Sequence, residues 1–320
     1  MEEVLYLVPN SILVLISVLI LERVCSLSPK YNPLGFFTAI TLAISEKVHP
    51  KNKRPSVAQQ KISGSMAMLT LMLPFLFLAY MMTLVAEFPA IFDGILLWLC
   101  LSWSPVKKDV LNLAKALKKD QKSLAKARLS SWVLRRTDNL SPMGLCKAAI
   151  EMVILRSSKE YFAVIFYYLC CGSFVMLAYR LAMLLNQCWN PKIVHYRHFG
   201  QLTQVLCYLL DWLPARLMTY SMMLLNDFKR STQLMHTARR WGNDNSLHLL
   251  AATAGGLHVS LGGPVFYENR KIRRPVIANK STKDPDVSAV RQTVALVEKV
   301  LAVWLLVILL ITAMRIALLI

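Results

Sequence analysis

The sequence lacks the short motifs that mark many soluble enzymes and metal-binding domains. No two of its seven cysteines form a C-x-x-C pair, which argues against a metal site or a disulfide framework. It contains neither a Walker A pattern nor a G-x-G-x-x-G fingerprint, the usual phosphate loops of nucleotide-binding domains. His236, His248 and His258 do not have the spacing of metal ligands. These absences direct attention to the overall composition.

Acidic residues are scarce, with 18 Asp and Glu against 37 Lys and Arg and a net charge of +19. An excess of this size can indicate nucleic-acid binding. However, 56% of the residues are hydrophobic and the mean hydropathy is +0.46, whereas soluble domains average about 45–50% apolar residues. The composition therefore predicts an integral membrane protein and gives no reason to expect a nucleic-acid partner.

Six apolar segments predict an all-α, polytopic membrane protein with one domain over residues 1–320, since about 20 apolar residues suffice to cross a bilayer. The third segment is the shortest and the least secure. The predicted spans are about 4–20, 65–86, 89–103, 161–185, 202–225 and 293–318.

The basic residues predict the orientation of these spans. If the acidic N-terminus lies outside, the loops 22–64, 106–160 and 226–292 face the cytoplasm and hold 31 of the 37 Lys and Arg residues. Residues 186–201 then lie on the opposite side. This distribution follows the positive-inside rule, and attraction to anionic lipid headgroups accounts for much of the excess. Residues 106–130 alternate lysine with leucine and alanine and predict a basic amphipathic helix, lying on the membrane or packed on other cytoplasmic loops.

The fifth predicted span is interrupted by Asp211, Pro214 and Arg216. An ionisable group at membrane depth costs at least about 2.5–3.5 kcal/mol and is normally paired or functional. Arg180 in the fourth span is predicted to lie at a similar depth. We therefore expect Arg180 and Asp211 to pair.

Gly262 and Gly263, close to the basic cluster 270–274, are candidates for a backbone nest around a phosphate. An ordinary glycine turn is the simpler alternative. Asp138 and Glu151 are scattered acids, and their spacing alone predicts neither a general base nor a Mg²⁺ site. The residues alone thus indicate a membrane protein with a basic cytoplasmic face that is a candidate for phosphate binding.

Several short motifs occur in an order that resembles the CobD/CbiB family of cobalamin biosynthesis, over roughly residues 30–267. The matching elements are Arg136-Thr137-Asp138, Ala149-Ile150-Glu151, Tyr179-Arg180, Phe199-Gly200, Leu213-Pro214-Ala215-Arg216-Leu217, Asn245 and Leu261-Gly262-Gly263-Pro264 with Tyr267.

This resemblance implies a multi-pass inner-membrane ligase of the adenosylcobinamide-phosphate synthase type. Such an enzyme joins an aminopropanol, or its phosphate, to adenosylcobyric acid with ATP and Mg²⁺. The expected partners are membrane lipids, the corrinoid or another small substrate, and a further membrane protein. Candidate catalytic residues are Asp138, Glu151 and Asp211. Candidate substrate- or phosphate-binding residues are Arg136, Arg180, Arg216, Asn245, Gly262 and Gly263, and no metal ligand is assigned.

Other positions depart from the family pattern. Leu155-Arg156 stands where the family has Glu-Asn, Lys159 replaces an acid, and Cys207-Tyr208 replaces paired aspartates. The Leu210–Pro214 stretch and the opening Ile20–Arg23 look like AmpE, a related membrane protein associated with cell-wall signalling. The alternative hypothesis is therefore a non-catalytic, AmpE-like membrane sensor.

Overall fold

The structure is a computed structural model that divides into two compact units. Unit 1 comprises residues 1–102 and 163–211, and unit 2 comprises residues 103–162 and 212–320. The assignment of residues 1–320 to one membrane domain stays a prediction. The residues that the structure describes are 10–27, 31–49, 56–239, 244–267, 270–279 and 282–319.

Most of the described residues are helical, as the sequence predicts. The helices are α1 (Asn10–Val24), α2 (Leu34–Val48), α3 (Val57–Val85), α4 (Pro89–Cys100), α5 (Trp103–Lys118), α6 (Lys122–Ser130), α7 (Pro142–Ser157), a π-helical turn (Ser158–Phe162), α8 (Ala163–Cys188), α9 (Gln201–Leu225), α10 (Phe228–Arg239), α11 (Asn245–Leu257) and α12 (Val287–Leu319).

Four short strands between α11 and α12 are an addition to the predicted all-α fold. They are β1 (Leu261–Gly262), β2 (Val265–Tyr267), β3 (Arg270–Ile272) and β4 (Val276–Ile277). β1 pairs with β4 and β2 pairs with β3, both antiparallel. The basic cluster at 270–274 thus folds back onto β2 and the glycine pair.

Four helical stretches are long and apolar enough to cross a membrane among the described residues. They are Val57–Val85, Pro89–Lys118, Pro142–Cys188 and Val287–Leu318. This confirms the class of a polytopic helical membrane protein. The count of six spans stays a prediction, and the start of the first predicted span, residues 4–9, lies outside the described residues.

The predicted basic helix 106–130 is two helices instead of one. α5 ends at Lys118, Asp120 adopts a left-handed conformation with φ 55°, and α6 begins at Lys122. The apolar face of α5, including Val110 and Leu113, is buried within unit 2. The apolar face of α5 therefore packs against other parts of the chain, which is one of the two positions predicted for the basic helix.

The fourth predicted span is sharply bent at Gly172, which has φ 84° and ψ 176° inside α8. Only glycine adopts such a conformation readily. The rings of Tyr167 and Tyr179 stack with centroids 4.8 Å apart, although a straight helix would separate these residues by about 18 Å along its axis. The fourth predicted span, 161–185, is therefore bent within its length, and its crossing of the membrane stays a prediction.

The bend changes the predicted topology of unit 1. Ser45 Oγ lies 3.1 Å from Tyr196 Oη, and the ring of His49 stacks on that of His195 at 4.0 Å. Residues 45–49 and 189–200 therefore occupy the same end of unit 1. The prediction that residues 186–201 lie across the membrane from the 22–64 loop is wrong, because these groups touch.

The bend of α8 lies beside the C-terminal end of α3. Phe174, just after Gly172, packs against Tyr80 with ring centroids 6.2 Å apart, and Ser173 donates a hydrogen bond to Asp93 at 2.5 Å. Gly64, nearer the start of α3, lies against the backbone of Phe199. The arm of α8 that follows Gly172 thus runs antiparallel to α3.

This arrangement predicts which positions share one side of the membrane. In a variant without native cysteines, Lys47→Cys and Lys192→Cys should react with a membrane-impermeant maleimide from the same side, because their neighbours are in contact. Glu87→Cys, in the turn after α3, should react from the other side. Labelling of intact cells and of inverted vesicles measures this, and reaction of the two lysine positions from opposite sides would contradict the structure.

Candidate functional site

Unit 2 contains a pocket of about 550 Å³ between the segment 135–147 and the strands β1, β2 and β4. Its walls carry the cations of Arg135, Arg136 and Lys147, together with Gly262, Gly263 and the exposed ring of Phe266. A volume of this size is typical of sites for small ligands. The pocket brings together residues that are up to 141 positions apart in the sequence.

Helix α7 forms one wall of the pocket, and local sequence signals determine where it begins. Ser141 caps α7 by accepting a hydrogen bond from the Gly144 N–H at 3.1 Å, and Pro142 occupies the first turn. A serine cap followed by proline is a common start of a helix. Lys147 and Glu151 are one helical turn apart, so they lie on the same face of α7.

Glu151 is buried and is held from three directions. Its Oε1 accepts the Gly262 N–H at 3.0 Å, and its Oε2 lies 3.0 Å from Arg274 Nη2 and 3.1 Å from Arg135 Nη2. Buried charges are normally paired in this way because desolvation is costly. Both carboxylate oxygens are thus engaged inside the fold, and Glu151 acts here as the counter-ion of two arginines.

The glycine pair is fixed by its backbone conformation, with φ 73° at Gly262 and 89° at Gly263. A Cβ at Gly262 would collide with the Pro275 carbonyl oxygen. The Gly262 N–H donates to Glu151, and the Gly263 N–H donates to the Pro275 carbonyl at 2.8 Å. The two N–H groups therefore do not form the predicted anion nest, since both are used within the protein. A role of the glycines in phosphate binding stays a prediction.

Three basic residues of this site were not singled out from the sequence. Arg135 and Lys147 line the pocket, while Arg274 ties the glycine turn to Glu151 through its second bond, Nε to the Gly263 carbonyl at 3.2 Å. The sequence offered weak signals, a doublet with Arg136 and a basic cluster at 270–274. Only the folded chain distinguishes these cations from the many surface lysines.

Other predicted site residues of unit 2 are not among those that line the pocket. Asp138 is exposed, and its carbonyl accepts a bond from Lys126. Asn245 is the buried first residue of α11, and Arg216 lies near the Trp212 ring at 5.9 Å. Their predicted roles stay predictions.

Arg180 and Asp211 belong to unit 1. Asp211 is buried and accepts a hydrogen bond from Tyr179 Oη at 2.7 Å, and Arg180 Nη2 lies 3.1 Å from Ser102 Oγ. These contacts show how the fold accommodates charged groups in apolar helices. The direct Arg180–Asp211 pair stays a prediction.

The residues of the pocket fit a phosphate group better than a bare metal ion. Arginine and lysine side chains are the usual binders of phosphate, and three of them line this cavity. Within the described ranges there is no group of three or more His, Cys, Asp or Glu side chains placed to hold a metal. Mg²⁺ is commonly bound by one or two carboxylates together with substrate phosphates, so its ligands here stay unassigned.

Together, the fold and pocket define a class: a polytopic helical membrane protein with a basic, ligand-sized pocket in its polar part. The family model described as CobD/Cbib protein matches residues 15–297 of the chain. The chain therefore belongs to the CobD/CbiB family. The matched range includes every residue of the Glu151 network.

Relatives agree with this assignment. A protein of Chromobacterium violaceum named Cobalamin biosynthesis protein CobD is 29% identical over 92% of this chain and 95% of its own length. A protein of the same name from Stutzerimonas stutzeri is 30% identical over 74% of this chain and 78% of its own length. No solved structure matches the chain.

The Glu151 network predicts a stability effect. Glu151→Gln should lower the free energy of unfolding by about 1–3 kcal/mol, because two largely buried guanidinium groups lose their shared negative partner. Thermal unfolding of the detergent-solubilised protein measures this. Asp120→Asn is the matched control, since its carboxylate is exposed and its ion pair is worth about 0–1 kcal/mol. Equal unfolding temperatures for the two variants would contradict the assigned role.

Proposed function

We propose that this protein is an inner-membrane ligase of cobalamin biosynthesis, joining an aminopropanol or its phosphate to adenosylcobyric acid. Family membership and the names of its relatives support a role in cobalamin biosynthesis. The observation that carries the proposal is the pocket lined by Arg136, Gly262 and Gly263, together with the Glu151 carboxylate that accepts the Gly262 N–H. These are four of the residues that carry the family resemblance.

The chemistry of amide formation assigns roles to this chain's residues. Bound ATP with Mg²⁺ supplies the phosphoryl group that activates the carboxyl group. Arg136 would hold phosphate oxygens, while a role of the exposed Asp138 as acceptor of the proton lost by the attacking amine stays a prediction, because Asp138 is not among the residues that line the pocket. The fixed turn at Gly262 and Gly263 keeps one wall of the pocket rigid, which favours orientation of the reacting groups.

The charge distribution supports a position in the bacterial inner membrane with the basic loops in the cytoplasm and the N-terminus outside. The contact of residues 189–200 with residues 45–49 adds Lys192 and Arg197 to the side that holds the basic loop 22–64. Membrane lipids and the corrinoid are the proposed partners. An additional membrane protein partner remains part of the proposal.

A second candidate is a non-catalytic, AmpE-like sensor, and one observation favours it. Arg156, at a position where the family has a polar residue, forms an ion pair with Glu160 at 2.7 Å. Its guanidinium also lies 4.8 Å from the centre of the Trp132 ring and donates to the Trp132 carbonyl. The arginine that departs from the family pattern is thus held by an ion pair, a ring contact and a hydrogen bond to its neighbours.

Complementation distinguishes the two functions. Expression of the chain in a strain that lacks the ligase should restore growth on cobyric acid. Arg136→Ala should reduce ligation in membranes by about 10- to 100-fold, because a hydrogen bond to a charged group is worth about 1.5–3 kcal/mol.

Arg197→Ala, an exposed arginine of unit 1, is the matched control and should retain full activity. Western blotting confirms equal amounts of each variant in the membrane. Failure of the unaltered chain to rescue growth, with no ligation in membranes, would favour the sensor.

A further inference from the structure

The walls of the pocket hold more positive than negative charge. Arg135, Arg136 and Lys147 line it, and the Glu151 carboxylate behind them is shared by Arg135 and Arg274. Asp284 also acts electrostatically on Lys147. Four cations and two acids therefore leave a net positive site, and such a site attracts an anion with more than one charge.

Lys147 differs from the two arginines in its surroundings. Its side chain is only partly exposed, yet it makes no hydrogen bond or ion pair with any residue in the described part of the chain. Its Nζ lies beside Gly263, 3.8 Å from where a Cβ would be. A half-buried ammonium group at a cavity wall is placed to bind an anionic ligand, because its N–H donors have no acceptor among the described residues and burial of such donors is unfavourable.

Arg135 is held in place for the same task. Its side chain is 10% exposed and pairs with Glu151 through Nη2. A guanidinium has five N–H donors in a fixed plane, so one that contacts a carboxylate can also contact a second anion. Glu151 is the positioning residue for Arg135, and Arg274 locks Glu151 to the glycine turn.

We propose that Arg135, Arg136 and Lys147 bind the phosphate group of a small phosphorylated ligand, with side-chain cations instead of glycine N–H groups as the donors. This inference rests on the proposed function and deepens it by naming the subsite. A cavity of about 550 Å³ suits a phosphate ester or the phosphates of a nucleotide. These two sources share the chemistry of a phosphate carrying two or more negative charges.

Binding to the purified full-length protein tests this without any corrinoid. Inorganic phosphate should bind and raise the unfolding temperature at constant ionic strength, whereas added chloride should not. Lys147→Met keeps the length of the side chain and removes its charge. It should weaken phosphate binding by about tenfold while the ligand-free unfolding temperature changes little, because Lys147 has no bond to lose.

Lys118→Met, at an exposed position of α5, is the matched control and should bind phosphate like the unaltered chain. An unchanged Kd in Lys147→Met, or stabilisation by phosphate no greater than by chloride, would overturn the proposal. Arg136→Met gives a second measurement and should also weaken binding.

Competition separates the two sources of phosphate. Phosphoethanolamine represents a phosphate ester with a primary amine, and ATP represents the nucleotide. Displacement of bound phosphate by either supports the subsite and identifies its ligand class. If neither displaces phosphate, the pocket is not a site for phosphorylated ligands. These measurements report binding and not ligation. A protein that binds phosphate but does not ligate would therefore contradict the proposed function without contradicting the phosphate subsite.

Discussion

One buried carboxylate organises the polar part of unit 2. Glu151 accepts a backbone N–H from the glycine turn and contacts two arginines, one from the loop before α7 and one from the segment after β3. Desolvating a carboxylate is costly, so the three donors must be present together for the site to be stable. The same requirement holds the pocket wall in place, since the glycine turn and Arg135 are both fixed by their bonds to the Glu151 carboxylate.

Unit 1 shows a different constraint, the turn of α8 at Gly172. A residue with a side chain would strain the backbone at φ 84°. The turn brings Tyr167 against Tyr179, and Tyr179 in turn donates to the buried Asp211. The apolar helices thereby accommodate an acid that would be costly to expose to lipid. Asp211 of the interrupted stretch is thus packed within unit 1.

The pocket identifies the residues of the candidate site more narrowly than the family motifs do. Arg136, Glu151, Gly262 and Gly263 were candidates from sequence, and the fold does bring them together. Their arrangement differs from expectation, because the glycine N–H groups are bonded within the protein and Glu151 neutralises arginines. Arg135 and Lys147 could not be selected from sequence, since 37 basic residues share the same composition signal and only burial beside a cavity separates them.

The sequence by itself determined the membrane class, the helical fold, the start of α7 and the family. Each of these depends on local properties: apolar length, capping residues and short ordered motifs. Tertiary structure alone decided the turn at Gly172, the contact of residues 45–49 with 189–200, and the arginines that neutralise Glu151. These depend on contacts between distant residues, and a glycine within an apolar run or an arginine within a basic cluster has the same local appearance whichever contact it makes.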